Sequence, residues 1–493
     1  MLHYADTIPF CFMSGQRPAA IDLARLLAVR LGLAATVLLS GCATTVPDLM
    51  PGSPAAPMTT QWHAPLPHGG RLADLNRWWA QFDDPLLPRL VEAGQRASPT
   101  LAQASARIAD ARAARGARGA ALLPVLDASA TTSRGRSLGA PIGAESTVGI
   151  QASWELDFFG ANRAATNAAQ ARLDASQAGW HDARVSVAAE VATSYVDLRA
   201  CEAQIQQAEL DAASRAQTAR ITSLAARAGF QSPATAELAN ASAAQASATL
   251  IQRRTQCDHL IKTLVALTAL DEGVLRRDLT PATARLPKPA ELGVVAVPTE
   301  MLAQRPDIYA AARDVIAASA DADQAQALRW PQIALAGNIG TTLIDSGGVS
   351  TDGTVWSVGP VTVTLPLFDG GTRRANAEAA RARYDAATSV YSARLREAIR
   401  EVETALVTLN STATRSEHTF IAGQGFERSF NATKAGYQVG AASLFELEDA
   451  RRSMVAAQSA VIVLHRERVA AWIALYRASG GGWAAKRNSS DEN

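Results

Sequence analysis

Apolar and polar residues follow the same series of periodicities twice along the chain. Residues 98–122 space apolar side chains three and four positions apart, as a helix does, and Pro124 ends that pattern. From 147 to 158 apolar and polar residues alternate strictly, which predicts a strand with one apolar and one polar face. Weaker strand patterns cover 125–133, 332–342 and 354–367. Each half is therefore predicted to run helix, strand, strand, helix, helix.

The longest helical patterns follow three glycines, Gly160 in the first half and Gly370 and Gly371 in the second. They cover 162 to about 262 and 372 to about 477, which is far more than a compact domain needs at about 1.5 Å of rise per residue. We expect the three glycines to be hinges between strand and helix, because glycine tolerates the backbone angles of a sharp bend.

Four cysteines are too few for a disulfide framework in a chain of 493 residues. Cys201 and Cys257 fall near opposite ends of one predicted helix, about 85 Å apart by helical rise. Cysteines at that distance cannot pair, so the sequence predicts two free, buried thiols.

The two halves also match each other in sequence. Residues 98–101 align with 305–308 at a shift of 207, and residues 171–175 align with 382–386 at a shift of 211. The second shift also pairs Gly229 with Gly440, Ser232 with Ser443 and Glu237 with Glu448. The match covers about residues 85–475, which indicates an internal two-fold repeat.

The N-terminal region differs from the repeats. A basic and then apolar stretch, 25–39, is too short to span a membrane and is followed by Ser40, Gly41 and Cys42. Small residues before a cysteine resemble the lipobox of bacterial lipoproteins, which implies cleavage before Cys42 and acylation of its thiol. Ala43 follows where an aspartate would retain such a lipoprotein at the inner membrane, so the resemblance is compatible with transfer to the outer membrane.

These features divide the chain into five segments. The start of the chain, at Met1 or at Met13, stays open because the region before the apolar stretch is unusually long. We expect a signal peptide over 1–41, a lipidated, proline-rich tether over 42–75, a first repeat over 76–290, a second repeat over 291–478 and a C-terminal tail over 479–493.

Four transmembrane-type strands per chain cannot close a barrel, since about eight is the practical minimum. Three copies would supply twelve strands and twelve long helices. The predicted fold class is therefore an α+β membrane protein. Its β-barrel, closed by trimerisation, continues into a long α-helical barrel.

Composition and motif spacing argue against several classes of function. The 47 Lys and Arg residues balance 46 Asp and Glu residues, and no basic stripe with interleaved aromatic residues is present, so nucleic acid is not an expected partner. Seven scattered histidines lack metal-ligand spacing, and no nucleophile motif has a matching acid and base. We expect neither an enzyme nor a metal, and no cofactor beyond the covalent lipid on Cys42.

Short motifs occur in a fixed order along the mature chain. They are WW at 78–79 with FDDPL at 82–86, WELDFFG at 154–160, RPDI at 305–308, PLFDGG at 366–371, and LYRA at 475–478 with GGGW at 480–483. This ordered set resembles the TolC-like outer-membrane factors, and specifically their NodT-type efflux lipoproteins. The resemblance implies an outer-membrane, lipid-anchored homotrimer that extends into the periplasm. It also implies a membrane-fusion adaptor and an inner-membrane pump, for which the proton-driven resistance-nodulation-division type is the first expectation.

The same resemblance implies that the turns between the long helices dock the adaptor and constrict the channel, and it places them near 195–199 and 406–410. The docking residues would be Tyr195, Leu198, Leu406 and Leu409. Rings of charge at a constriction filter ions and hold a gate. The candidate constriction residues are Glu190, Asp197, Arg199, Arg400, Glu401 and Glu403. Thr404 falls where the family's pattern would have a gate carboxylate, so the exact gate residues stay open.

The predicted function is passive export: solute enters from an adaptor and pump at the periplasmic tip, passes the constriction and leaves through the barrel. One alternative is a lipid-anchored, structural coiled-coil lipoprotein of the envelope, which would need neither the alternating strands nor the hinge glycines. A second is a lipid-anchored periplasmic enzyme, which would need a pocket of convergent titratable groups. The sequence does not identify the exported compounds.

Overall fold

A computed structural model describes residue 64, residues 75–136, residues 142–288, residue 302 and residues 304–483. The predicted signal peptide, Cys42 and nearly all of the tether lie outside the described residues. The hinge glycines and all the predicted docking and constriction residues lie within them.

The elements of the two halves follow the predicted order, helix, strand, strand, helix, helix. The first half contains a 3-10 helix (Leu75–Phe82), α1 (Leu86–Ala97), α2 (Pro99–Ala120), β1 (Val125–Gly135), β2 (Gly143–Leu156), α3 (Ala161–Arg227), α4 (Pro233–Thr268), α5 (Glu272–Leu279) and a short 3-10 turn (Thr280–Ala282). The second half contains α6 (Pro306–Ala327), β3 (Gln332–Ser346), β4 (Val349–Thr364), α7 (Thr372–Gln438) and α8 (Leu444–Ala478).

The four strands form one antiparallel sheet in the order β1-β2-β3-β4. Ile150 pairs with Ile339, and Ile339 pairs with Trp356, so apolar side chains align across the middle of one face. That face leaves ten large apolar side chains exposed, by 36% to 82%: Leu126, Val148, Ile150, Trp154, Ile339, Leu343, Trp356, Val358, Val361 and Val363. Within the described residues, β1 and β4 each have a neighbour on one side only. The sheet is therefore uncovered on its apolar face and open at both edges.

The chain turns from strand to helix in the same way in both halves. Gly160 and Gly371 are the N-cap residues of α3 and α7, with φ of 82° and 88°. An aspartate just upstream accepts hydrogen bonds from the first free backbone N–H groups: Asp157 from Asn162 N at 3.0 Å, and Asp369 from Arg373 N at 3.1 Å. The bend needs the left-handed conformation that glycine adopts without strain, and the carboxylate satisfies the helix end.

The turns between the long helices do not lie where the family resemblance placed them. α3 runs without a break through 195–199 to Arg227, and α7 runs through 406–410 to Gln438. The chain reverses instead at Gly229, with φ of 80°, and at Gly440, also with φ of 80°. Ser232 and Ser443 then cap the returning helices α4 and α8. Each hairpin therefore has a first arm of 67 residues, about 100 Å long by helical rise.

Cys201 and Cys257 form a disulfide, so the expectation of two free thiols was wrong. It assumed one continuous helix through both cysteines, whereas the turn at Gly229 brings α4 back along α3. The two Cα atoms are 5.7 Å apart, and both side chains are buried. The bond closes a loop that includes the whole far end of the first hairpin.

Replacement of Cys201 and Cys257 by serine is expected to lower the free energy of unfolding by about 2 to 4 kcal/mol, since a disulfide across a long loop restricts the unfolded chain. Thermal unfolding of the purified protein, followed by circular dichroism with and without reductant, measures the loss. Reductant should lower the melting temperature of the wild type and leave that of the double variant unchanged. Equal melting temperatures for the two oxidised proteins would contradict the expectation.

The largest apolar core lies beside the middle of α3, where the 3-10 helix, α1 and the end of α8 pack around it. Trp78 is 1% exposed, and its ring packs at a tilt against those of Trp472 and Tyr476, whose centroids lie 6.2 and 5.6 Å from its own. Elsewhere α3 buries mostly alanine. Among the described helices, none combines the length and hydropathy of a membrane-spanning helix.

Candidate functional site

The two helix turns follow the ends of α3 and α7 that are farthest from the sheet, and they expose large apolar side chains. Phe230 beside Gly229 is 83% exposed, Val439 beside Gly440 is 81% exposed, and Phe445 in the first turn of α8 is 73% exposed. Exposed side chains of this size are costly in water, so they mark a surface suited to another protein.

The four predicted docking residues do not lie at these turns. Tyr195 and Leu198 on α3 and Leu406 and Leu409 on α7 are buried in the main core, at most 3% exposed. They stabilise the middle of the hairpins and cannot contact an adaptor. The pairing of Gly229 with Gly440 and of Ser232 with Ser443 was the sequence signal for the true turns, because glycine after a helix and serine before one are typical caps.

Arg199, a predicted constriction residue, is completely buried and belongs to a structural network. Its Nε donates to the Tyr195 hydroxyl at 2.9 Å, and its Nη1 donates to Glu202 at 2.8 Å and to the Leu279 carbonyl at 3.0 Å. Tyr195 in turn donates to Asp84 at 2.7 Å. Burial raises the pKa of Tyr195, which keeps the phenol protonated for this bond.

Three other predicted constriction residues do come together. Glu190 on α3 and Arg400 and Glu401 on α7 line one open groove of about 1060 Å³ between α3, α7 and α8. Arg466 and Glu467 of α8 line the same groove. The groove lies along the middle of the hairpins, so these charges are far from the turns that they were expected to flank.

The remaining two constriction residues have separate partners. Asp197 accepts from Arg466 of α8 at 2.5 Å, which ties the first hairpin to the second. Glu403 accepts from the backbone N–H of Ala64 at 2.9 Å. Ala64 of the tether region therefore contacts α7 near the midpoint of that helix.

Arg305, the first residue of the RPDI motif, joins three parts of the second half. It is 6% exposed, forms ion pairs of 2.8 Å with Asp307 and with Glu401, and donates to the Ala478 carbonyl at 2.9 Å. Nearby, burial raises the pKa of Asp182, and the negative charge of Asp307 raises it further. Glu401 is thus held by a buried arginine at one end of the groove.

A second buried ionic cluster, which was not predicted from the sequence, lies between the hairpins and nearer the turns. Glu448 of α8 accepts from Arg215 of α3 at 2.6 Å and from Ser242 of α4 at 2.7 Å. Arg451, 1% exposed, pairs with the same glutamate and donates to Thr218 at 3.1 Å. Helical spacing alone does not show that these charges face inward, because the partners come from three different helices.

Within the part of the chain that the structure describes, no group of three or more His, Cys, Asp or Glu side chains could hold a metal ion. Three ion pairs of the groove and the buried cluster instead join separate parts of the chain: Arg215 with Glu448, Arg305 with Glu401, and Arg466 with Asp197.

Two stretches, residues 90–270 and 297–481, match the family model described as outer membrane efflux protein. The chain belongs to this family. The two stretches correspond to the two halves, so each half carries the family's pattern. The chain is thus an outer membrane efflux channel of the TolC-like type.

Curated relatives and a solved structure agree with this assignment. The chain is 30% identical over 446 residues to the outer membrane protein OprJ of Pseudomonas aeruginosa, which covers 88% of this chain and 92% of OprJ. It is 28% identical over 463 residues to nodulation protein T of Rhizobium leguminosarum bv. viciae, and the match covers 92% of this chain and 93% of that protein. The solved outer-membrane channel OprN superposes with a TM-score of 0.77 at 27% identity, covering 86% of this chain and 95% of that one.

Proposed function

We propose that three copies of this efflux channel assemble into one pore that passively conducts substrates delivered by an inner-membrane pump and a periplasmic adaptor. The observation that carries the proposal is the sheet. Its four strands have two open edges and an exposed apolar face. A membrane sheet must leave no edge unpaired, and four strands are too few to close on themselves. Pairing β1 of one copy with β4 of the next in a ring of three gives twelve strands and removes every edge.

The helical hairpins would then continue the pore into the periplasm. α3 and α7 leave the sheet directly at Gly160 and Gly371, and each extends about 100 Å by helical rise. The disulfide supports an extracytoplasmic location, because such bonds persist in oxidising compartments. A duct of this kind needs no covalent chemistry, since the energy for export comes from the pump.

The lipid anchor at Cys42 is compatible with this arrangement. Ala64 contacts Glu403, which lies 31 residues along α7 from Thr372, or about 46 Å from the sheet end of that helix. The 22 residues from Cys42 to Ala64 can span at most about 75 Å when extended. An acylated Cys42 can therefore reach the membrane that holds the sheet.

The groove is our candidate for the charged wall of the path. Glu190, Arg400 and Glu401 lie along it with Arg466 and Glu467, so both signs of charge line one concave surface. Fixed charges along a water-filled path set its ion preference. Of the six predicted constriction residues, Glu190, Arg400 and Glu401 remain candidates for this wall, whereas Arg199 belongs to the core.

The oligomeric state tests the assembly. Light scattering of the full chain in detergent, corrected for bound detergent, should give three times the mass of one processed chain. A monomer or a dimer would refute the closed barrel and favour the lipid-anchored spacer instead.

The helix turns are proposed as the adaptor surface, in place of the residues near 195–199 and 406–410. The double variant Phe230→Asp/Phe445→Asp is expected to weaken adaptor binding about 30-fold or more, because the loss of even one aromatic hot-spot residue from an interface costs about 2 kcal/mol or more. Site-specific cross-linking to the adaptor in cells that hold the complete system measures this. Leu210→Asp, at a residue of α3 that is 75% exposed, is the matched control and should leave binding unchanged. Equal losses in both variants would refute the assignment.

A further inference from the structure

Two helices that occupy equivalent places in the repeat carry opposite charge. α2 enters β1 and α6 enters β3, and the two are related by the sequence shift of 207 residues. α2 contains four arginines and a single aspartate: Arg107, Arg112, Arg115, Arg118 and Asp110. α6 contains four aspartates and a single arginine: Asp307, Asp314, Asp321, Asp323 and Arg313. The repeat therefore preserves the fold and inverts the charge.

The acidic side chains of α6 are partly neutralised inside the chain, whereas the basic side chains of α2 are not. Asp321 pairs with Arg172 of α3, and Asp307 pairs with Arg305. All four arginines of α2 are exposed, and within the described residues none of them forms an ion pair with a carboxylate. Arg115 donates only to the amide oxygen of Gln170, at 3.2 Å.

The basic face lies at the sheet end of the helix. Arg118 is seven residues before Val125, the first residue of β1, and the intervening Leu123 is 64% exposed. Arg112 and Arg118 are about 9 Å apart along the helix axis. The polar headgroup layer on one side of a bilayer is about 5 to 8 Å thick. If the sheet crosses the membrane, these arginines lie in the headgroup layer and just below it.

A neighbouring copy of the chain does not supply the missing negative charge. α2 and α7 lie at opposite edges of the helical layer, because they adjoin the edge strands β1 and β4, so a ring of copies would bring them together. The first turns of α7 are themselves rich in arginine, and their acids, Glu378 and Asp385, already pair with Arg374 and Arg381 on the same helix. The copy-to-copy contact would place basic next to basic.

We propose that the arginine face of α2 binds the phosphate groups of anionic phospholipids in the membrane leaflet nearest the helices. Guanidinium groups bind phosphate oxygens in a planar, bidentate geometry, and basic residues next to a membrane attract anionic lipid. The bound phosphates would also screen α2 from α7 of the next copy. The inference rests on the proposed function, since it needs the sheet to cross the bilayer.

The test compares two charge-matched variants of the full chain. Arg112→Gln/Arg118→Gln removes two charges beside the sheet, and Arg220→Gln/Arg227→Gln removes two exposed charges near the helix turn, about 90 Å away along α3. Each protein is equilibrated in mixed micelles with equal amounts of phosphatidylglycerol and phosphatidylcholine. The retained lipids are then counted by mass spectrometry, and the particle mass is measured on the same samples.

We expect the wild type and the Arg220/Arg227 variant to retain phosphatidylglycerol preferentially, with a preference that weakens at high salt. In the Arg112/Arg118 variant, the preference for phosphatidylglycerol over phosphatidylcholine should fall about fivefold or more. An equal fall in both variants, or no preference in a wild-type trimer, overturns the lipid assignment and leaves the channel intact. A wild type that lacks the preference and instead binds purified peptidoglycan through these arginines overturns it in favour of a glycan. A monomeric wild type would refute the channel assembly itself.

Discussion

Arginine in place of Ile150 is expected to keep the channel out of the bilayer. Ile150 lies near the middle of β2, is 50% exposed in the single chain, and pairs with Ile339 in the central apolar row of the sheet. If that face meets lipid, a charge near the midplane costs about 2 to 4 kcal/mol in each copy. Three copies bear the cost together, so the assembled channel should be reduced to a few per cent of the wild-type amount.

The neighbouring residue supplies the control. Gln151 lies one position along the same strand and therefore on the opposite, polar face, where it is also exposed. Gln151→Arg adds the same charge at the same depth and should leave the assembled channel abundant. Quantification of trimer in purified outer membranes compares the two. If both variants assemble, or if both fail, the apolar face does not contact lipid in the proposed way.

Removal of the Arg199 side chain is expected to destabilise the middle of the hairpins rather than alter a gate. Arg199→Ala leaves Glu202 without its cation and leaves the Leu279 carbonyl and the Tyr195 hydroxyl each short of one donor. Loss of one partner from a buried ion pair costs about 3 to 5 kcal/mol. We expect a clearly lower melting temperature and normal ion selectivity for whatever channel still assembles.

Arg220→Ala is the control for this variant, since Arg220 lies on the same helix and is exposed. Surface substitutions of this kind change stability by less than about 0.5 kcal/mol. Thermal unfolding in detergent and reversal potentials in bilayers separate the two effects. A stable Arg199→Ala protein with altered selectivity would restore Arg199 to the wall of the pore.

The strands, the repeat and the extent of the two long helical regions could be predicted from the sequence because each follows from a local pattern. Alternation over 147–158 is a property of the strand itself, and the repeat is visible as matched residues. The hinge aspartates and glycines, such as Asp157 and Gly160, also act on the backbone beside them. These features depend on neighbours in the sequence and not on distant contacts.

The turn positions and the cysteine pairing were mispredicted together. The family resemblance placed the turns near 195–199 and 406–410, although Gly229 with Ser232 provides the local stop and start signals for a helix reversal. With the turn placed at Gly229, Cys201 and Cys257 become neighbours on antiparallel helices. The misplaced turn thus led to the wrong prediction of free cysteines.

The roles of the charged residues depend on which helices pack against each other. The sequence pattern does not show this. Arg199 and Glu401 both lie on long helices with many charges, yet one is buried against α5 and the other lines an open groove. Helical periodicity separates apolar faces from polar ones but does not distinguish two polar faces that pack against different partners. Contacts between helices, such as that of Arg199 with the Leu279 carbonyl of α5, separate these roles.

Single-channel recording of the purified protein in planar bilayers tests the central claim most directly. We predict discrete conductance steps from the trimeric fraction of the wild type, and none from the Ile150→Arg variant at the same protein concentration. A homogeneous wild-type trimer that inserts into bilayers and never conducts would contradict the account, because the proposed passive duct requires a water-filled path through the ring of three chains.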